Sequence, residues 1–252
     1  MIYGTHDSAA YTFDYSIPCA ADNKVAKIAK CAPLRRRLTA VSQTQGRDIA
    51  AQLRVGARAL DLRVAFLEGT FYCAHTFCCV EFEEILEQVK SFTENNSAEL
   101  FLLIKPDWDN RSSMRAVERN FIDRLELFLD LPEARAITIY YQPLEGALGS
   151  ANARLLDMAA LNTIWFNTQT PEEFSAAFAR TEFTGRDVLC CVSTPSCGDT
   201  KWYQWLTLSL EKGAAELLPV ATALLAERAA SGRALPYICT FDFLTEETAQ
   251  QK

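Results

Sequence analysis

Histidine is scarce in this chain: 252 residues hold two. Proton transfer near neutral pH, the range in which only imidazole titrates unperturbed, therefore rests on His6 and His75. Long apolar runs are missing as well. No stretch approaches the roughly 20 residues needed to cross a bilayer, which excludes a transmembrane helix. There is no Pro/Gly/Ser-rich linker, so a single domain over residues 1–252 is expected, a length that α/β barrels routinely use. Positive charge is in deficit: 25 Lys and Arg against 32 Asp and Glu leave a net charge of −7. A field of that sign repels polyanions and excludes nucleic acid as a partner, so any anionic ligand must be met locally. Nine cysteines are present, but without a C-x-x-C repeat. Neither a zinc site nor a disulfide framework is expected; buried or reduced thiols of an intracellular protein are.

What is present is an ordinary core. With 49% hydrophobic and 23% charged residues the chain buries a sizeable interior. Runs rich in β-branched and aromatic residues predict strands at Ile2–Thr5, Ala59–Phe66, Thr70–Ala74, Leu100–Ile104, Ala136–Tyr141, Thr163–Phe166, Val188–Val192 and Tyr237–Phe241. Helical periodicity falls between them. Phe82, Ile85, Leu86 and Val89 form one stripe, and Val117, Phe121, Ile122, Leu125 and Leu129 a second; Phe174 to Phe178 and Leu217 to Leu225 carry two more. This alternation is that of an α/β protein with a parallel sheet, and so many units in this length fit a closed but distorted (β/α) TIM-type barrel.

Active sites of such barrels lie where strands run into their following loops. His6 and Asp7 follow the first predicted strand. Asp61 and Arg63 alternate with Leu60, Leu62 and Val64 and so share one face. His75 ends Phe71–Ala74, Lys105 and Asp107 close Leu100–Ile104, and Asp242 follows Tyr237–Phe241. Two imidazoles suit phosphodiester cleavage, one taking a proton from the attacking hydroxyl and the other giving one to the leaving oxygen. An inward arginine is costly to bury alone, so Arg63 calls for Asp7, Asp61 or a ligand phosphate. Lys201–Leu206, with Trp202, Tyr203 and Trp205, is an aromatic cluster suited either to a bilayer interface or to the core.

Gly4-Thr5-His6-Asp7-Ser8, the run from Gln52 to Arg63 and Phe71-Tyr72-Cys73-Ala74-His75 together resemble the X domain of phosphatidylinositol-specific phospholipase C. Glu99–Lys105 and Tyr237–Phe243 are similar to that family's third-strand and last-strand segments. The resemblance implies a distorted barrel and attack of the inositol 2-hydroxyl on its own phosphodiester, giving diacylglycerol and a cyclic inositol phosphate. It implies His6 as general base held by Asp242, His75 as general acid assisted by Asp7, and Lys105 and Asp107 as inositol contacts. Calcium-dependent members carry oxygen ligands near the position of Arg63. The guanidinium here resembles the bacterial and X-domain-only members, which implies no metal and no other cofactor, a fixed cation meeting the developing phosphorane charge.

The implied partner is an inositol phospholipid met by peripheral contact at a membrane surface. The implied location is the cytoplasm or the membrane periphery; secretion stays open because the chain starts abruptly at a motif. Three departures are visible. Thr76 stands where the family has glycine, the middle-strand arginine and aspartate that hold inositol have no match, and the helical segment that precedes the first motif is missing, leaving one barrel end uncovered. Two other readings remain: an X-domain module that binds or regulates without turnover, and a related phosphodiesterase acting on glycerophosphodiesters or sphingolipids with a divalent cation.

Overall fold

A computed structural model describes residues 1–19, 29–192 and 208–250. Its parallel strands are β1 (Ile2–Thr5), β3 (Ala59–Leu67), β6 (Leu100–Pro106), β7 (Ile137–Tyr141), β8 (Leu155–Asp157), β9 (Asn162–Trp165), β10 (Asp187–Cys191) and β11 (Ile238–Phe241). They follow one another laterally as β9-β10-β11-β1-β3-β6-β7-β8. The last strand pairs with the first, Gly4 beside Thr240 and Thr5 beside Phe241. β2 (Asp14–Pro18), β4 (Thr70–His75) and β5 (Phe77–Glu81) form an antiparallel excursion carried on β3.

The fold is a distorted α/β barrel, but it is not closed. Among the described residues β8 and β9 do not pair. Parallel neighbours need a crossover of about a dozen residues or more, and only residues 158–161 separate these two strands. That opening is the correction to the closed barrel expected from the pattern. Most expected strands and all four striped helices lie within a few residues of their predicted places. The pattern does not announce β2, β5 or β8: β2 is an edge strand ending in proline, β5 reads Phe-Cys-Cys-Val-Glu, and β8 is three residues long.

Alternation along the strands sorts side chains into two cores. Leu60, Leu62, Leu102, Ile104, Ile139 and Leu189 point outward into one cluster with Ile85, Phe121, Phe174 and Leu217 of the surrounding helices. Ala59, Phe101, Leu103, Tyr140, Val188 and Ile238 point inward into a smaller cluster that fills the barrel. Beyond it, at the carboxyl ends of the strands, the inward positions become charged. At the opposite end a cavity lies beside β1, lined by Tyr3, Arg58, Leu225 and Leu235 among others.

Glycine is required at position 4. A Cβ there would stand 2.5 Å from the Ala59 carbonyl oxygen and 2.7 Å from the Ala59 Cβ, so the close pairing of β1 with β3 depends on its absence.

Among the described residues between β2 and β3 lie two helices that no apolar stripe announces, α1 (Ala32–Ser42) and α2 (Ile49–Arg54). α1 buries only Val41, which is why its hydrophobic pattern is faint. The later helices are α3 (Phe82–Glu94), α4 (Arg111–Leu129), α5 (Pro171–Arg180), α6 (Leu210–Ala230) and α7 (Glu246–Gln250). The aromatic cluster Lys201–Leu206 lies outside the described residues.

Candidate active site

Continuation of β1 as a strand would send His6 and Asp7 to opposite faces. Asp7 instead adopts φ +39, a left-handed conformation that aspartate tolerates better than most residues, and both side chains reach the mouth. Thr5 Oγ1 and Ser8 Oγ lie 2.8 Å apart, Ser8 Oγ donates to the Thr5 carbonyl at 2.9 Å, and the Ser8 amide donates to the Asp61 carbonyl at 2.7 Å. Each residue of the Gly-Thr-His-Asp-Ser motif is thereby accounted for. The glycine permits close approach, the two hydroxyls hold the turn, and the histidine and aspartate furnish the mouth.

The parallel register sets the rest. Arg63 lies beside Lys105 on neighbouring inward positions of β3 and β6. His6 follows β1 as Asp242 follows β11, and His6 Nδ1 donates to Asp242 Oδ1 at 2.9 Å. His75, at the end of β4, donates from its own Nδ1 to the Ser42 carbonyl oxygen at 3.0 Å. A carbonyl can only accept, so the Nδ1 proton is fixed there. Both rings are therefore held by Nδ1 and present Nε2 to the same place: Asp7 Oδ2 is 3.6 Å from His6 Nε2 and 3.8 Å from His75 Nε2.

Arg63 Nε stands 2.6 Å from Asp7 Oδ1, and Lys105 Nζ 3.0 Å from Asp61 Oδ1. Asp7 and Asp61 are buried, while Arg63 keeps 33% of its side chain exposed. The arginine is thus the charge of this group most open to an incoming anion. Asp107 is placed differently from the expected inositol contact: it is buried, and its carboxylate accepts from the Asp109 amide at 3.0 Å, capping the turn after β6.

Electrostatics distinguish the two imidazoles. For His6 burial disfavours the charged form, but Asp7, Asp242 and Asp61 outweigh it and raise the pKa to about 9. For His75 burial is again the largest influence; Arg63 and His6 reinforce it, and despite Asp7 the pKa falls below the ordinary value. Asp7 is buried too, yet Arg63, the two histidines and Lys105 hold it well below the carboxylate range. Burial raises Asp107 to about 6 and also raises Asp242, against the pull of His6. In the resting site His6 is therefore the protonated ring and His75 the neutral one.

His6, Asp7 and Asp61 offer ligand atoms within 4.8 Å of one another, the separation a divalent cation could bridge. Both carboxylates already face a cation, Arg63 and Lys105 respectively, and those two charges would repel a metal ion brought between them.

Two supports have no signal in the sequence pattern. The Ser42 carbonyl is backbone and belongs to no residue type. Gln45, buried, donates from Nε2 to the carbonyls of His6 and Phe241, both at 2.9 Å, bracing the ends of β1 and β11 together. Thr76 does carry a signal. Its φ is +69, a left-handed conformation uncommon for any side chain and a genuine outlier for a β-branched one. Such strain costs about 1–3 kcal/mol, whereas glycine adopts this conformation freely but is entropically costly in the folded chain by about 0.5–1 kcal/mol. Thr76→Gly is accordingly expected to stabilise the protein by about 1 kcal/mol net, read as a higher denaturation midpoint at unchanged m-value; a lower midpoint would mean that the threonine side chain contributes more than its backbone costs.

No family model matches the chain. Over 122 residues, 46% of its length, it is 29% identical to a PI-PLC X-box domain-containing protein of Dictyostelium discoideum, and the match spans 16% of that relative. In structure it is similar to the phosphatidylinositol-specific phospholipase C of Listeria monocytogenes, with a TM-score of 0.61 at 16% identity over 99% of this chain and 90% of that one. A Staphylococcus aureus phosphatidylinositol-specific phospholipase C gives a TM-score of 0.59 at 14% identity, over 100% of this chain and 91% of that one. The resemblance to the phosphatidylinositol-specific phospholipase C X-domain family thus holds in sequence over part of the chain, and in fold over nearly all of it.

Proposed function

We propose that this chain is a single-domain phosphodiesterase that cleaves phosphatidylinositol-type lipids by attack of the inositol 2-hydroxyl on the adjoining phosphodiester, releasing diacylglycerol and a cyclic inositol phosphate. The observation that carries the reading is the convergence of two imidazole Nε2 atoms and one arginine on the Asp7 carboxylate at a barrel mouth. His6, oriented by Asp242, takes the proton of the hydroxyl; His75, oriented by Ser42, returns one to the glycerol oxygen; Arg63 meets the charge that develops on phosphorus oxygens. Lys105, which pairs with Asp61 and keeps part of its side chain exposed, faces the head group, whereas Asp107 adds its negative charge to the field around Arg63. Phosphatidylinositol turnover by the purified protein, with a cyclic product seen by phosphorus NMR, tests the reading directly; no turnover on any inositol lipid would favour a binding module instead.

The His6–Asp7–Asp61 cluster favours one other reading, a phosphodiesterase that works through a divalent cation. Activity is expected to survive EDTA, because Arg63 occupies the electrostatic role of the metal; full loss on chelation with recovery on adding calcium or magnesium would support that second reading.

The reaction requires neutral His6 and protonated His75, the reverse of the resting state. The profile of kcat/KM is therefore expected to be bell-shaped, rising with pH up to the depressed value of His75 and falling above about 9, where His6 titrates. The bends belong to the coupled pair and not to either ring alone. A profile that rises and then levels off, without a falling basic limb, would remove His75 as the acid, and one without a rising acidic limb would remove His6 as the base.

A further inference from the structure

The turns that carry His6, Asp242 and His75 come from three different strands, yet one short segment, residues 42–45 at the end of α1, is bonded to all of them. The Ser42 carbonyl oxygen accepts from His75 Nδ1 at 3.0 Å. Thr44 Oγ1 donates to the Asp7 carbonyl at 2.9 Å, and the Thr44 carbonyl accepts from the Phe243 amide at 2.8 Å. Gln45 Nε2 donates to the carbonyls of His6 and Phe241, both at 2.9 Å.

The two residues that Thr44 holds are both left-handed, Asp7 at φ +39 and Phe243 at φ +50. For a bulky residue such a conformation is an outlier and persists only where the surroundings over-determine it. Thr44 and Gln45 are buried, 1% and 2% exposed, so their bonds lie where a low dielectric strengthens them. The segment itself is secured by other means. The amides of Thr44 and Gln45 donate to the Ala10 carbonyl at 3.1 and 3.3 Å, and Gln43 Nε2 donates to the Gln45 carbonyl at 2.9 Å. The Thr44 hydroxyl and the Gln45 amide are thus spent on the two strand ends that carry the site, and not on the segment they belong to.

We propose that Thr44 and Gln45 are positioning residues: through them residues 42–45 act as one strap that places the two imidazoles as a unit, His6 from the strand ends and His75 from the Ser42 carbonyl. This deepens the phosphodiesterase reading and rests on it. A base and an acid that serve one phosphorus atom must keep their spacing, and both Nε2 atoms are referred to the same Asp7 Oδ2, at 3.6 and 3.8 Å.

Gln45→Met keeps the bulk of the side chain and removes its donors; Thr44→Val removes the hydroxyl and Thr44→Ser restores it. In Gln45→Met kcat on phosphatidylinositol is expected to fall by about 10²-fold, the effect of displacing reacting groups by about 1 Å. Thr44→Val should lose about tenfold, as for one buried hydrogen bond, and Thr44→Ser should recover most of it. KM is expected to stay within about twofold throughout, since positioning acts on the chemical step. Ile85→Val, which loosens the outer core, should lower the denaturation midpoint and leave kcat unchanged.

Placement is also read without turnover. The chain holds two histidines, so NMR of protein labelled at histidine nitrogen resolves each ring. Both Nδ1 protons should exchange with water at least about tenfold faster in Gln45→Met than in wild type, as local opening becomes easier. If Gln45→Met does not fold, the Thr44 pair decides, valine loosening both rings and serine neither. The proposal is overturned if these variants leave kcat and proton exchange at wild-type values, if one ring loosens while the other stays, or if Ile85→Val reproduces the losses. Rings that loosen together in a protein without turnover would support the strap and overturn the catalytic reading alone.

Discussion

Replacing His6 or His75 by alanine is expected to lower phosphatidylinositol turnover by about 10²–10⁴-fold, the usual worth of a positioned acid or base, with the fold intact. The two variants should differ in their pH dependence. Without His6 the rising limb disappears and the rate only falls above the depressed value of His75; without His75 the falling limb is lost and the rate rises until it levels off near pH 9. The size of the effect follows from geometry: each ring is fixed through Nδ1, so its proton-transferring Nε2 has one orientation, and no other imidazole exists in the sequence to replace it. Near-native rates in either variant of an active protein would sink the two-histidine mechanism.

The second large effect is expected at Arg63. Its Nε lies 2.6 Å from the buried Asp7 carboxylate. Arg63→Ala leaves the buried Asp7 carboxylate with the more distant His6 imidazolium, 3.6 Å away, as its counter-charge, and breaking a buried pair costs about 3–5 kcal/mol. Partial exposure of the arginine lets water enter and puts the expectation at the low end, about 3 kcal/mol. Turnover should fall by a further 10²–10³-fold or so, as when a donor to a developing oxyanion is removed. Arg63→Lys tests the two roles separately: an ammonium restores the charge beside Asp7 and hence stability, but it lacks the planar fork that binds phosphate oxygens in pairs. Restored stability without restored rate is the expected result, read by denaturant titration and steady-state kinetics. A lysine variant with full activity would show that Arg63 supplies charge alone.

The inward arrangement that makes Arg63 so consequential is largely legible in the sequence. Alternation on β3 puts Asp61 and Arg63 on one face, and an inward guanidinium demands an acidic partner, leaving Asp7 and Asp61 as candidates. In the structure Asp7 pairs with Arg63 and Asp61 with Lys105, a choice that depends on side-chain reach across neighbouring strands and on nothing local. Asp242 is legible as the partner of His6 because a last strand returning to the first places their carboxyl ends together. Asp107 is not, because a carboxylate after a strand can serve the mouth or cap the next turn, and the two look alike in one dimension.

The sequence by itself determined the elements whose burial is periodic, the positions of the two imidazoles at strand ends, and the need of Arg63 for an anion, since each follows from hydropathy period or from the cost of burying charge. Only the tertiary structure decided the opening between β8 and β9, the Ser42 carbonyl that orients His75 and the Gln45 brace. The physical reason is common to all three. Each depends on backbone groups at places where residues far apart in the chain meet, and a backbone carbonyl or an unpaired strand edge has no letter in the sequence.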